Sequence, residues 1–121
     1  MEDSKTKLYR PVGPQELELI RQANFAAFPP RLPEQPIFYP VLNLEYAQQI
    51  ASTWNVRQSG YGAVTAFEVL NEFLARYEVH VVGGAIHKEY WIPAENLADF
   101  NANLVGKIEV VAEYKANSEQ P

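Results

Sequence analysis

Residues 60–69, GYGAVTAFEV, set the fold that the rest of the chain has to fit. After its two glycines the run alternates, and one side of it is made by Ala63, Thr65, Phe67 and Val69. Successive side chains of a strand point to opposite faces, so this spacing predicts a β-strand with one face on the core. Such a strand needs partners in the flanking sequence.

The C-terminal segment supplies the clearest partner. In residues 107–114, KIEVVAEY, one side of the alternation is Ile108, Val110, Ala112 and Tyr114. This pattern predicts a last strand, entered after Gly106, with one face buried. Shorter strands are predicted at residues 8–10, 37–39, 78–82 and 87–92. The first of these is expected to end at Pro11, and the last two can form a hairpin around Gly83-Gly84.

Helices are predicted between the strands. Pro14 suits the first turn of a helix over residues 14–24, with Leu17, Ile20 and Asn24 on one face. The clearest helix begins at Asn43, a capping residue, and its buried face is predicted to contain Ala47, Ile50, Ala51 and Trp54. Residues 71–77 fit one or two helical turns, and a short helix after Pro93 carries Leu97 and Phe100.

This order of elements predicts an α+β fold. We expect one domain over residues 8–114, built on a mostly antiparallel, split β-sheet with two longer helices and one short helix. A length of 121 residues falls within the ~100–150 typical of one domain. Residues 1–7 and 115–121 are expected to be flexible ends.

Five of the nine prolines stand between residues 29 and 40. Prolines remove backbone donors and fix φ near −65°, so the segment is predicted to be a stiff extended connection. Phe28, Ile37 and Phe38 bracket most of these prolines, and we expect them to hold the segment against the domain. A displayed proline-rich ligand for an aromatic groove is the less favoured alternative.

Composition narrows the function classes. The formal charge is −5, which is the wrong sign for nucleic-acid binding, and the absence of cysteine excludes disulfides, thiolate zinc sites and cysteine nucleophiles. The sequence contains no apolar run near the ~18 residues that a membrane span requires. We therefore expect a small soluble protein in the cytoplasm, without a membrane or nucleic-acid partner.

Familiar catalytic motifs are missing. Gly83-Gly84 lacks the remainder of a dinucleotide or P-loop fingerprint, and none of the serines stands at a strand-to-helix elbow. His80, His87 and Glu89 could form a metal set with two histidines and one carboxylate. Their spacing is unspecific, and solvated histidines at a sheet end explain it better, so no metal is expected.

Polar residues in apolar strands are more informative. Arg10, Tyr39 and Glu89 come from three separate predicted strands and stand beside aromatic residues. If they met in one cleft, they would provide a cation for a diphosphate, a ring for stacking on a base, and a carboxylate for an oxocarbenium-like transition state. The alternative is a structural Arg–Glu pair beside a core tyrosine.

In this arrangement the chain resembles small bacterial ADP-ribosyltransferase-like domains. The resemblance spans residues 8–114 and rests on LYR at residues 8–10, FY at 38–39 before the helix with YAQQIA at 46–51, and HKEYWIP at 87–93. The string FPPRLPEQPIFYP at 28–40 is also similar to small proteins labelled ADP-ribosylation/crystallin J1. The glycohydrolases of that name are longer, all-helical and built on paired aspartates around magnesium, and this chain has none of those features.

The resemblance implies a function that depends on NAD. Glu89 would be the catalytic carboxylate, Arg10 and Tyr39 would bind NAD, and His87 would join them at a position where some members carry Glu or Gln. A Ser-Thr-Ser motif that other members have is missing here. The implied activity is cleavage of the glycosidic bond of NAD and transfer of ADP-ribose, with NAD as substrate. The alternative is a catalytically silent interaction or immunity-type accessory protein, which would bind a protein partner through its acidic surface or its proline-rich segment.

Overall fold

Strands and helices alternate in the first half of the chain, and strands dominate the second half. The structure, a computed structural model, describes residues 4–116. Its strands are β1 (Lys5–Val12), β2 (Ile37–Phe38), β3 (Tyr61–Leu70), β4 (Val79–Val81), β5 (Lys88–Tyr90), β6 (Ile92–Pro93) and β7 (Leu104–Lys115). Its α-helices are α1 (Pro14–Gln22), α2 (Leu44–Gln49), α3 (Val56–Ser59), α4 (Asn71–Leu74) and α5 (Leu97–Ala102). A π-helix, Ile50–Asn55, joins α2 to α3, and a 3-10 turn, Ala94–Asn96, precedes α5.

The main sheet is antiparallel, with β3 between β1 and β7. The small sheets β2–β6 and β4–β5 are antiparallel as well, which confirms the predicted α+β class. Among residues 4–116, the helices are all too short or too polar to cross a membrane.

The central strand is buried on both of its faces. The four residues predicted to face the core are buried, but so are Val64 and Ala66 on the other side. A large cluster that includes Leu8, Phe67 and Phe100 packs on one face, and a smaller cluster with Val64 and Ala51 packs on the other. The sheet is therefore a middle layer and not a wall of one core.

The strand β1 is longer than predicted. It begins at Lys5, inside the stretch expected to be flexible, and continues through Pro11 to Val12. Tyr9 exchanges both backbone hydrogen bonds with Val41, at 2.9 and 2.8 Å. Odd-numbered residues of β1 therefore direct their N–H groups away from β3, and Pro11 can lie in the strand without losing a bond to β3.

One residue connects the main sheet to the β4–β5 hairpin. Val41 pairs with Tyr9 on one side and with Glu89 on the other. The next antiparallel position outward would pair Pro11 with Tyr39, but Pro11 has no N–H to donate. The ladder stops there, and the two segments diverge.

The last strand departs from its simple alternation. Gly106 lies inside β7 at φ 79°, and the register with β3 shifts at two places. Ile108 consequently packs in the large cluster, Ala112 packs against the small one, and Val110, predicted to be buried, is exposed. Lys115 still belongs to the strand, whereas residues 1–3 and 117–121 of the expected flexible ends lie outside the described residues.

The helices are also shorter or less regular than their sequence patterns predicted. The first ends at Gln22, because Asn24 and Phe25 adopt φ of 59° and 58°. Asn43 caps α2 as predicted, accepting a hydrogen bond from the Tyr46 N–H. The π-helix then lengthens the turn, and Trp54 leaves the buried face and is 57% exposed.

The two ends of the proline-rich segment pack as expected, while most of the residues between them are exposed. Phe28 and Phe38 are buried and their ring centroids lie 5.0 Å apart, while Ile37 is half-buried. Arg31 donates from Nη2 to the carbonyl of Ile37 at 3.1 Å, which closes the segment on itself. The side chain of Arg31 is thereby held next to β1.

The approach of the π-helix to β3 depends on Gly62. A Cβ atom at this position would lie 2.3 Å from the Ala51 carbonyl oxygen and 2.7 Å from the Asn55 Cβ. Because the first of these is a backbone atom, Gly62→Ala should lower the free energy of unfolding by about 1–3 kcal/mol through overpacking. Denaturant unfolding measures this, with Gly84→Ala as control, since its nearest neighbours are 3.6 Å away. Equal losses in both variants would contradict the packing described.

Candidate functional site

A cavity of about 530 Å³ lies beside β1 at the point where the ladder stops. Arg10, Tyr39 and Glu89 all line it, so three of the residues predicted for a site are brought together. The predicted residue His87 does not line it. The volume falls within the ~300–1,000 Å³ of small-molecule sites.

Arg10 is fixed by an ion pair that the sequence did not indicate. Its Nε and Nη2 donate to both carboxylate oxygens of Glu16, at 2.7 and 3.0 Å. Glu16 stands in the first turn of α1, which Pro14 begins directly after Gly13. The structural Arg–Glu pair of the alternative interpretation is therefore present at Arg10, but its partner is Glu16 and not Glu89.

The same guanidinium also replaces a missing strand bond. Nη1 of Arg10 donates to the backbone carbonyl of Tyr39 at 3.3 Å, and that carbonyl is the acceptor Pro11 cannot serve. The guanidinium lies over the Phe38 ring, 4.7 Å from its centroid. Three contacts thus hold Arg10 at the wall of the cavity, where it is only 8% exposed.

Glu89 is oriented by two neutral donors. Tyr46 donates its hydroxyl hydrogen to Oε1 at 3.0 Å, and Trp91 donates from Nε1 to Oε2 at 2.7 Å. The side chain is buried on β5, beside Val41. Both oxygens are therefore positioned, but neither is neutralised by a direct cation, since no described ion pair includes Glu89.

The two histidines support this arrangement from outside the cavity. His87 accepts from the Gly84 N–H at 2.8 Å through Nδ1, lies 3.2 Å from Gln49 Oε1 through Nε2, and its ring packs 4.6 Å from the Tyr46 ring. Both ring nitrogens of His87 therefore have protein partners, and its expected role in NAD binding stays a prediction. His80 stacks on Trp91 with ring centroids 3.8 Å apart.

The metal set considered from the sequence is not assembled. Between residues 4 and 116 the structure contains no group of three His, Asp or Glu side chains that could hold a metal ion. His80 faces Glu89 across the hairpin, but its ring is occupied by the stack with Trp91.

Arg31 gives the cavity a second cation. Its guanidinium lies 5.8 Å from the centroid of the Phe38 ring that Arg10 also covers. Burial, and then the nearby charge of Arg10, lower the pKa of Arg31 from its usual value. The ion pairs among the described residues do not include Arg31, so its charge is uncompensated by a direct contact.

Exposed aromatic rings complete the site. Tyr39, Trp54 and Trp91 line the cavity and are 40%, 57% and 40% exposed. Tyr39 and Trp91 meet edge to face at 6.3 Å. Tyr39 is therefore not the core tyrosine of the alternative interpretation, and large rings are available to a ligand.

The sequence interpretation missed Glu16, Arg31, Trp54 and Asn55, which also line the cavity. Arg31 carried a usable signal, because a charged residue stood between two aromatic residues that were both expected to be buried. Glu16 gave no such signal, because an acidic residue in the first turn of a helix is favourable without any further role. Trp54 was assigned to the core by a helical periodicity that the π-helix breaks.

The contact between Tyr46 and Glu89 can be tested by titration. Burial, and then the hydrogen bond and charge of Glu89, raise the pKa of Tyr46 to about 12. Glu89→Gln removes the negative charge, so the Tyr46 pKa should fall toward 10 but stay above it because burial remains. Carbon-13 NMR of labelled tyrosine across pH 9–13 measures this. Tyr61, whose pKa of about 12 reflects burial and Glu113, is the internal control and should not change.

The side chains that line the cavity determine which ligands it can bind. It offers two guanidinium groups, two carboxylates, two indoles and a phenol in one space that a small molecule can enter. No protein-family model, no curated protein and no solved structure matches this chain.

Proposed function

We propose that the cavity binds NAD and that Glu89 promotes cleavage of its nicotinamide glycosidic bond, as in ADP-ribosyltransferase-like proteins. One observation carries the proposal: Arg10, Tyr39 and Glu89 come from three distant segments and line one cavity. A cation, an exposed ring and an oriented carboxylate are the groups that a dinucleotide with a reactive glycosidic bond requires. We also propose, as part of this hypothesis, that the α+β fold is similar to that of ADP-ribosyltransferases.

Glu89 is suited to a charge that develops during reaction. When the bond between ribose C1′ and the pyridine nitrogen breaks, its electron pair goes to the nitrogen and neutral nicotinamide leaves. The positive charge left on C1′ and the ring oxygen is stabilised by a carboxylate held in place beforehand. Water or an acceptor group then bonds to C1′ and loses a proton. The two donors on Glu89, Tyr46 and Trp91, fix the carboxylate without cancelling its charge.

Binding would use the rings and the arginines. Tyr39 and Trp91 are exposed enough to pack on a heteroaromatic base while their edge-to-face contact keeps them in place. Arg10 adds positive charge close to Tyr39, although most of its hydrogen bonds are already directed to Glu16. The diphosphate would thus rely mainly on Arg31, which forms no ion pair among the described residues.

The catalytic role is tested by nicotinamide release. Glu89→Gln keeps the shape and removes the charge, so turnover should fall by a factor on the order of 10² or more. The affinity for NAD should stay within about tenfold, because the lost interaction is made mainly in the transition state. Chromatographic quantification of nicotinamide and calorimetric titration with NAD measure the two effects.

The matched control is Glu78→Gln, which removes the same charge from an exposed residue that does not line the cavity. It should leave release and binding unchanged. If wild-type protein neither binds millimolar NAD nor releases nicotinamide, the transferase proposal fails.

A second candidate is a silent interaction protein that captures a partner. The observation in its favour is the set of three exposed aromatic rings beside one buried and one half-buried arginine, a composition enriched at protein interfaces. In that case the cavity would bind a side chain of the partner, and the protein would not bind NAD. The same calorimetric titration separates the two candidates.

A further inference from the structure

Two buried polar atoms in the described part of the chain have no hydrogen-bond partner, and both belong to residues that line this cavity. They are Nε of Arg31, a donor, and Oδ1 of Asn55, an acceptor. Buried polar groups in folded proteins are almost always paired, and each exception calls for an explanation such as a bound water or a ligand. The coincidence of both exceptions in one cavity points to an occupant.

Both groups are held by the surrounding protein. Arg31 is tied through Nη2 to the Ile37 carbonyl, and its guanidinium lies over the Phe38 ring. Asn55 is the last residue of the π-helix, and its Cβ packs where Gly62 has no side chain. Both residues are thus fixed before any ligand arrives, but the two unpaired atoms are themselves fully buried, so a ligand in the cavity reaches them only after a small shift of the side chains that cover them.

The two atoms require complementary groups on a ligand, an acceptor for Arg31 Nε and a donor for Asn55 Oδ1. A guanidinium N–H without an ion pair favours an anionic oxygen of a carboxylate or a phosphate, and in the nucleotide of the proposed function that oxygen belongs to a phosphate. An amide oxygen accepts from a hydroxyl or an amide N–H. A phosphate joined to a ribose or a carboxamide provides both.

We propose that Arg31 and Asn55 are the recognition pair of the cavity, with Arg31 bound to a phosphoryl oxygen and Asn55 accepting from a hydroxyl or amide of the same nucleotide. The site then selects phosphorylated nucleotides over nucleosides. Arg10, already paired with Glu16, supports the site but does not make the principal phosphate contact. This inference rests on the proposed function for the nucleotide class, but the contact between Arg31 and the phosphate does not require cleavage of NAD.

The phosphate contact is tested by calorimetric titration with four probes: NAD, ADP-ribose, pyrophosphate and nicotinamide riboside, which lacks phosphate. Arg31→Gln should weaken the three phosphorylated probes roughly 10- to 100-fold and change nicotinamide riboside less than about twofold. The control Arg21→Gln removes the same charge from the exposed face of α1, outside the cavity, and should change none of them.

The amide contact has its own variant. Asn55→Ala should weaken NAD, ADP-ribose and nicotinamide riboside by roughly three- to tenfold and leave pyrophosphate unchanged, because pyrophosphate has neither ribose nor amide. Gln58→Ala, an exposed position in α3, is its control. Arg31→Lys retains the charge but not the planar fork, so it should recover only part of the affinity.

The outcomes separate this inference from the proposed function. NAD binding and cleavage that are unaffected by Arg31→Gln would overturn the inference and leave the function standing. If pyrophosphate and ADP-ribose bind in a way that depends on Arg31 but no nicotinamide is released, the inference stands and the proposed cleavage of NAD fails. If no probe binds wild type, both fail and water satisfies the two atoms. Should Arg31→Gln not fold, competition between pyrophosphate and NAD on wild-type protein decides, because a shared phosphate site requires it.

Discussion

The missing N–H of Pro11 is the constraint on which the site depends. Tyr9 and Val41 pair fully, but the next step of the ladder would need a donor that proline does not have. The chain around Tyr39, which precedes Val41, therefore separates from β1 and leaves a gap at the edge of the sheet. Arg10 fills part of this gap by bonding the Tyr39 carbonyl, and Glu16 then fixes Arg10. A local defect in strand pairing has become a cavity lined by an ion pair.

The layered fold brings groups from both faces of the sheet to this gap. The large cluster anchors Phe38, against which the two arginines lie, and the small cluster anchors the π-helix that carries Trp54 and Asn55. The π-helix comes this close because Gly62 on β3 has no side chain. A regular α-helix over a bulkier residue would place neither group at the same point.

The sequence predicted those parts of the site that follow from strands and failed on the parts that follow from irregular backbone. Arg10, Tyr39 and Glu89 each stood in an alternating or aromatic run, so their possible convergence could be inferred, although Tyr39 lies one residue beyond β2. Trp54 was misplaced because ordinary helical periodicity does not anticipate a π-helix. Glu16 and Arg31 were missed because their roles arise from a turn and a proline-rich segment, where spacing carries no information about contacts.

The placement of the tryptophans has a practical consequence. The chain contains two, and both Trp54 and Trp91 line the cavity, so the entire indole emission of the protein originates at the site. Trp91 touches the Glu89 carboxylate at 2.7 Å and the His80 ring at 3.8 Å, which makes its emission sensitive to charge and polarity next to it. Intrinsic fluorescence therefore reports on the occupant of the cavity without any label, and replacing one tryptophan at a time separates the indole on the π-helix from the indole beside the carboxylate.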